Sequence, residues 1–241
     1  MNNQFNENEF KILEKQSISP AVIRRLPRYY RYLCELIARG KTRISSSELA
    51  DMMNVTASQI RQDLNCFGGF GQQGYGYNVN YLFAKISEIL GVSAGFKAII
   101  IGAGDLGRAL VHLSMFEKRG VDICAIFDTS NEADGKDCAG VPVYHINALE
   151  SFCDENPVDI AVIACPKELV HDIADRCVAI GLKGIWNYMG VEIKYTDKDI
   201  IIENMHLGDS LMILNCRICR NMYDKAHDSI SENNSENNDG D

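Results

Sequence analysis

Between residues 97 and 113 the chain passes from a β-branched run, 97–101, through Gly102-Ala103-Gly104-Asp105-Leu106-Gly107 into the helical spacing of Ala109, Leu110 and Leu113. A GxGxxG turn with a strand before it and a helix after it admits few folds. The first glycine permits the tight turn, the second lets a pyrophosphate approach the backbone, and the third lets the helix pack on the strand. The helix N-terminus then offers its unpaired N–H groups to the phosphates. A second expected strand, 121–127, ends at Asp128, 21 residues beyond Gly107. A carboxylate at that offset hydrogen-bonds the adenosine ribose and repels a 2′-phosphate, so the expected cofactor is NADH or NAD+, not NADP(H).

Strand and helix signals continue to alternate. Residues 141–143 form a short strand, 147–152 begin a helix, and 158–164 are a buried strand ending at Cys165-Pro166. A helix over 168–180 stops at Gly181, and Gly184–Asn187 is the next strand. This succession predicts an α/β Rossmann domain whose ligand lies across the carboxyl ends of a mainly parallel sheet. The cofactor-facing residues are then Gly102, Ala103, Gly104, Asp105, Leu106, Gly107 and Asp128, with Cys165, Pro166, Asn187 and Tyr188 where a nicotinamide can sit. Those last four also suit plain loop and core positions.

The N-terminal third has a different character. Ser19-Pro20 is an N-cap followed by proline, Pro27 restarts a second helix carrying Tyr30, Leu33 and Ile37, and Gly40 ends it. Ser45 and Glu48 form a capping box ahead of Leu49 and Met52, and Thr56 and Gln59 form another ahead of Ala57, Ile60 and Leu64. Ser58, Gln59, Arg61 and Gln62 lie toward the outside of that last helix. Two short capped helices about a tight turn match a helix-turn-helix, in which Arg can read guanine and Gln adenine in the major groove. The same pattern fits a three-helix bundle whose polar face is only solvated.

Directly after it, residues 66–77 alternate aromatic residues with glycines at the spacing of a twisted hairpin. This predicts a wing whose tip, Gly71, Gln72, Gln73 and Gly74, can lie along the minor groove. A flexible glycine linker explains the glycines but not the regular Phe and Tyr. Asn78 then caps a linking helix of Leu82, Ile86 and Ile89 closed by Gly91. The expected architecture is thus an α+β winged helix-turn-helix domain followed by the α/β Rossmann domain.

Charge distribution agrees with that division. The whole chain carries a net −9. Residues 17–85, however, hold nine Lys/Arg against four Asp/Glu, a net +5, while 86–241 carry −13. A basic head on an acidic body suits phosphate attraction at one end only. The nine cysteines are odd in number and irregularly spaced, which predicts no disulfides and a reducing, cytoplasmic setting. Cys216 and Cys219 form a lone CxxC without a second pair, so no metal site is expected. No window approaches the roughly 18 apolar residues of a membrane helix.

The order of these motifs, with ISPAVIRRLPRYYRYL, SQIRQDL, FGGFGQQGYGYNV, GAGDLG and IIENMHLGDSL in turn, resembles the Rex redox-sensing transcriptional repressors over residues 17 to 220. The resemblance implies a homodimer on an AT-rich inverted repeat upstream of genes for fermentation and NADH reoxidation. It implies contacts to DNA through Gln59, Arg61 and Gln62, and to cofactor through Gly102, Gly104, Gly107 and Asp128. It also implies a last helix exchanged between subunits, which here begins at His206 with Leu207, Leu211, Leu214 and Ile218 on one face and Ile213 and Cys216 on another. His206 stands where family members often have an acidic residue and Leu113 where they have a tyrosine, the two being linked there with an arginine at the position of Arg31.

The expected divisions are a flexible 1–16, a DNA-binding domain with its linking helix over 17–91, an NAD(H)-binding domain over 92–205, a dimerisation helix over 206–225 and a disordered acidic tail over 226–241. A rival reading is an NAD-dependent dehydrogenase with an N-terminal extension. It requires a proton-transfer group near the nicotinamide, and the five histidines follow no catalytic arrangement. A CoA-binding domain serving a ligase leaves Asp128 and the wing without a purpose. No catalytic residue is expected.

Overall fold

A computed structural model describes residues 18–66, 71–72, 76–131, 133–196 and 199–236. The chain divides into two compact units. One holds the described residues up to Phe96 together with Ser114–Asp122, and the other holds Lys97–Leu113 and the chain from Ile123 onward.

The first unit opens with α1 (Pro20–Ala38), capped by the Ser19 hydroxyl accepting from the Val22 N–H. The sequence suggests a break at Pro27, yet α1 is continuous through it. Pro27 is exposed and removes one N–H from the ladder, while Val22, Leu26, Tyr29, Leu33 and Leu36 form a single buried stripe. Burial along that stripe outweighs the lost hydrogen bond, and it selects Leu36 as the buried residue while Ile37 faces solvent.

A short strand, β1 (Arg43–Ile44), leads into α2 (Ser46–Met53), whose capping box from Ser45 and Glu48 is complete. Asn54 adopts the left-handed conformation that ends α2. The following helix, α3 (Ala57–Asn65), has only half of its expected box. Thr56 accepts from the Gln59 N–H, but the Gln59 side chain turns instead to Asp63.

Strands β2 (Gly71–Gln72) and β3 (Gly76–Asn78) make an antiparallel hairpin, and β3 also pairs with β1, giving a three-stranded sheet in the order β1-β3-β2. This is the wing. Gly76 has φ +69°, and a Cβ there would lie 2.6 Å from the Ile44 carbonyl oxygen, so only glycine lets β3 sit against β1. The linking helix α4 (Val79–Ile89) is capped by Asn78 as expected and packs on α1, with Tyr30 stacked on Phe83 at 5.2 Å.

Among the described residues of this unit, one charged side chain is wholly buried. Asp63 is 0% exposed and accepts from Arg25 Nε and Nη2 at 2.7 Å each, from the Tyr29 hydroxyl at 3.0 Å and from Gln59 Nε2 at 2.7 Å. Burial pushes its carboxyl up, but the hydrogen bonds from Arg25, Gln59 and Tyr29 outweigh burial and hold it below the usual carboxylate value.

The second unit is built on a seven-stranded sheet. Its strands are β4 (Phe96–Ile101), β5 (Val121–Asp128), β6 (Asp137–Cys138), β7 (Val141–His145), β8 (Ile160–Ile163), β9 (Gly184–Asn187) and β10 (Ile201–Asn204). Their spatial order is β10-β9-β8-β4-β5-β7-β6. Omitting the short antiparallel edge strand β6, this is the doubly wound Rossmann order. The pairings of β10 with β9, β9 with β8, β8 with β4, and β5 with β7 are parallel.

Helices α5 (Asp105–His112), α6 (Leu149–Glu155) and α7 (Val170–Ile180) connect the strands. The last two each begin with a 3-10 turn, so α6 starts later than the expected 147 and α7 later than 168. In α5 only Gly107 and Leu110 are buried; Ala109 is exposed and Leu113 lies beyond the helix end, 48% exposed. Of the helically spaced Ala109, Leu110 and Leu113, only Leu110 reaches the core, because the helix ends at His112.

The final helix, α8 (Leu207–Glu236), exposes every side chain described along it, including Leu211, Met212, Leu214 and Ile218. Its backbone continues through Glu236, across residues whose composition predicted disorder. Extending an existing helix requires no new nucleus. The flexible stretch expected over 1–16, and Gln73 and Gly74 of the wing tip, lie outside the described residues.

Replacing Arg25 by Met keeps the aliphatic stem and strands the buried carboxylate. The expected loss is about 3 kcal/mol, read as a lower urea midpoint by circular dichroism. Because the folded Asp63 value lies below the unfolded one, its contribution is complete above about pH 4 and disappears as pH falls through the folded value. The gap between wild type and variant should therefore narrow only in acid, and a gap independent of pH would contradict the assignment.

Candidate functional site

The glycine turn follows from steric necessity at two positions. Gly102 has φ +115° and donates its N–H to the Phe127 carbonyl at 2.7 Å. A Cβ on Gly102 would meet the Ala164 carbonyl and, at 2.9 Å, the Cys165 nitrogen. The turn is thus wedged between the ends of β5 and β8. At Gly107 a Cβ would run into the Gly102 carbonyl oxygen, so α5 lies directly on the turn. Gly104 differs: it is the N-cap of α5, makes no side-chain cap, and a Cβ there would meet nothing within 4 Å. That open space in front of unpaired N–H groups suits an approaching phosphate.

Asp128 closes the other side. Its Oδ2 accepts from the Ala103 N–H at 2.5 Å and its Oδ1 from the Ser130 N–H at 2.8 Å. The carboxylate therefore sits on the glycine turn itself, at the end of β5. Beside it opens a cleft of about 350 Å3 lined by Ala103, Gly104, Arg108, Asp128, Ser130 and Lys136, among others. Asp105 is exposed and ion-paired with Arg108 at 3.1 Å, and Leu106 is half-buried. The turn, the open N-terminus and the acceptor fit the pyrophosphate and ribose of a dinucleotide.

Cys165 and Pro166 join Gly102 and Asp128 in a small adjoining crevice of about 20 Å3. Burial pushes the Cys165 thiol up to about 11, which keeps it protonated at neutral pH. Asn187 and Tyr188 line neither space. The Asn187 side chain is wholly buried and committed: it donates to the Val191 carbonyl and to Asn204 Oδ1, and accepts from the Met189 N–H. Tyr188 is half-buried against Trp186, with ring centroids 4.8 Å apart. Arg108, Ser130 and Lys136 were not anticipated. Arg108 stands four residues after Gly104, a helical offset that places it above the turn, whereas Lys136 arrives through a loop return that no local pattern announces.

On the first unit, Ser58, Arg61 and Gln62 are exposed on α3 and Gln59 is half-buried. Arg61 Nη1 donates to the Ser46 hydroxyl at 3.2 Å, tying α3 to α2. Gly71 and Gln72 form β2. Among the described residues no cluster of His, Cys, Asp or Glu could hold a metal ion, and no helix is long and apolar enough to cross a membrane.

A winged helix-turn-helix head carried on the same chain as a dinucleotide cleft defines a class: DNA-binding regulators that respond to a nucleotide. The head, residues 17–65, matches the family model described as "Putative DNA-binding protein N-terminus", and residues 93–190 match "CoA binding domain", a Rossmann-like fold. The chain is 44% identical over 218 residues to the redox-sensing transcriptional repressor Rex of Caldicellulosiruptor saccharolyticus, covering 90% of this chain and 99% of that one. It is 48% identical over 205 residues to that of Thermoanaerobacter pseudethanolicus, covering 85% and 91%. Among solved structures it is similar to RSP, a Rex-family repressor. The RSP complex with NAD+ and operator DNA matches with TM-score 0.80 at 46% identity, covering 89% of this chain and 99% of that one. The RSP complex with NADH matches with TM-score 0.79 at 43% identity, covering 88% and 99%. The chain belongs to the Rex family of redox-sensing transcriptional repressors.

A methyl group at position 107 has no room. Gly107→Ala is expected to cost about 1–3 kcal/mol through overpacking and to lower the Tm, whereas Gly104→Ala, facing open space, should change it less. Equal shifts in a calorimetric comparison would contradict the geometry of the turn.

Proposed function

We propose that this protein represses transcription by binding operator DNA as a homodimer and releases it when NADH binds. The observation that carries the reading is the pairing of an Asp128-capped glycine turn with an exposed Arg61–Gln62 edge on the recognition helix. It is supported by the RSP structures, one holding NAD+ with operator DNA and one holding NADH.

In this proposal Gly104 and the neighbouring N–H groups of α5 receive the pyrophosphate, and Asp128 accepts from the adenosine ribose hydroxyls. For that, the carboxylate exchanges part of its bonding to Ala103 and Ser130. Cys165 and Pro166 border the nicotinamide end. The exchangeable group supplies only a redox-dependent charge: neutral when reduced, cationic when oxidised. A site that prefers the neutral ring, and a dimer arrangement that binds it better than the DNA-competent one, together convert the NADH/NAD+ ratio into operator occupancy.

Gln59, Arg61 and Gln62 meet bases or backbone in the major groove, Ser58 the backbone, and the wing with Gly71, Gln72, Gln73 and Gly74 the minor groove. The operator is an AT-rich inverted repeat, matching the twofold symmetry of the dimer. The exposed apolar faces of α8, with Leu207, Leu211 and Leu214, are covered by the second subunit. The same reading assigns DNA binding to residues 17–91, NAD(H) binding to 92–205 and dimerisation to 206–225. The protein acts in the cytoplasm without catalysis, on genes of fermentation and NADH reoxidation.

Arg61→Ala should reduce operator binding at least tenfold in a gel shift and leave NADH binding intact. Unchanged DNA affinity would remove the recognition-helix assignment. Asp128→Ala should weaken NADH binding and leave DNA bound at NADH levels that release the wild type, and an unaltered titration would remove the ribose assignment.

A further inference from the structure

The buried carboxylate of the first unit touches the recognition helix in a way that constrains its readout. Gln59 Nε2 donates to Asp63 Oδ1 at 2.7 Å, one turn along α3. Asp63 itself is held from α1 by the Arg25 fork and the Tyr29 hydroxyl. Held ionised by those donors, the carboxylate can only accept. The Gln59 amide therefore has one allowed orientation: nitrogen toward Asp63, carbonyl oxygen turned away from it. A free glutamine amide flips at little cost and can offer either end to a base; this one cannot. Spending one N–H on Asp63 leaves the oxygen and a second N–H, the pair that bidentate adenine recognition uses.

We propose that Asp63 is a positioning residue that sets the polarity of the Gln59 amide and thereby fixes an adenine preference at the base pair Gln59 meets. The proposal deepens the recognition-helix reading and rests on it. Asp63 never reaches DNA. Its effect is to make Gln59 rigid and unidirectional before binding, so that the orientation is not chosen anew at each sequence.

The test is selection of bound duplexes from a random library by the full-length protein, its Gln59→Ala variant and its Asp63→Asn variant. Asparagine at 63 can donate as well as accept, so it tolerates either orientation of the Gln59 amide. Gln59→Ala is expected to flatten one base pair per half-site, with adenine enrichment there falling about tenfold. Asp63→Asn should relax that same base pair while the rest of the motif persists. A folded Asp63→Asn protein with wild-type enrichment at that base pair overturns the proposal. So does a Gln59→Ala motif identical to wild type, and because Arg61→Ala reports on the helix separately, that result leaves the recognition-helix reading standing.

Should Asp63→Asn fail to fold, the wild type still decides. By NMR, the Gln59 side-chain amide proton directed at Asp63 should exchange with solvent at least tenfold more slowly than those of the exposed Gln62, on the order expected for one retained charge-assisted hydrogen bond. Equal exchange rates overturn the proposal.

Discussion

The Rossmann unit depends on a place where backbone must meet backbone. At Gly102 the ends of β4, β5 and β8 converge, and the volume a side chain would fill is taken by the Ala164 carbonyl and Cys165. Its carbonyl in turn excludes a side chain from Gly107, which brings α5 down onto β4. Only because the turn is that tight does the Ala103 N–H lie within reach of Asp128 on the neighbouring strand. The phosphate-facing N-terminus, the acidic acceptor and the cleft between them are consequences of one close approach, and none of them survives a looser packing of the helix.

The DNA-binding unit is organised by the opposite kind of constraint. Its recognition helix is anchored on the apolar residues Ile60 and Leu64, but also on an ionised carboxylate with no contact to water. A buried charge is tolerable only when its lone pairs are occupied, and three side chains supply Asp63 with four donors to occupy them. Because those donors come from α1 and from α3 itself, the network fixes the seating of α3 more specifically than apolar contact alone. It also occupies Gln59, a side chain that would otherwise be free on the polar face.

Much of the site was legible in the chain because it is written in local chemistry. The GxGxxG run, the acid 21 residues on, the Ser45–Glu48 box and the Asn78 cap each require particular residue types at short spacing. Where reading failed, a distant partner had intervened. Thr56 and Gln59 have the spacing of a capping box, yet the Gln59 amide is drawn to Asp63, whose importance depends on Arg25 and Tyr29 some 34 to 38 residues earlier. Pro27 signals a helix break that the buried stripe of α1 overrides. The β10 segment offers only the short β-branched run Ile200-Ile201-Ile202, and its place at the sheet edge is set by parallel pairing with β9.

From its residues alone the chain determined that a glycine turn sits between a strand and a helix, that an acid follows it, that a basic head precedes an acidic body, and that capped helices lead into a hairpin. All of these are set by φ/ψ limits, end-group hydrogen bonding and charge, which act over a few residues. Only the tertiary structure decided that Asp128 rests on Ala103, that Lys136 and Arg108 border the cleft, that Asn187 is spent on Asn204, and that Asp63 is buried beneath Gln59. Those outcomes depend on which groups remain unpaired once the elements pack, and a hydrogen bond between residues far apart in the chain has no local spacing to announce it.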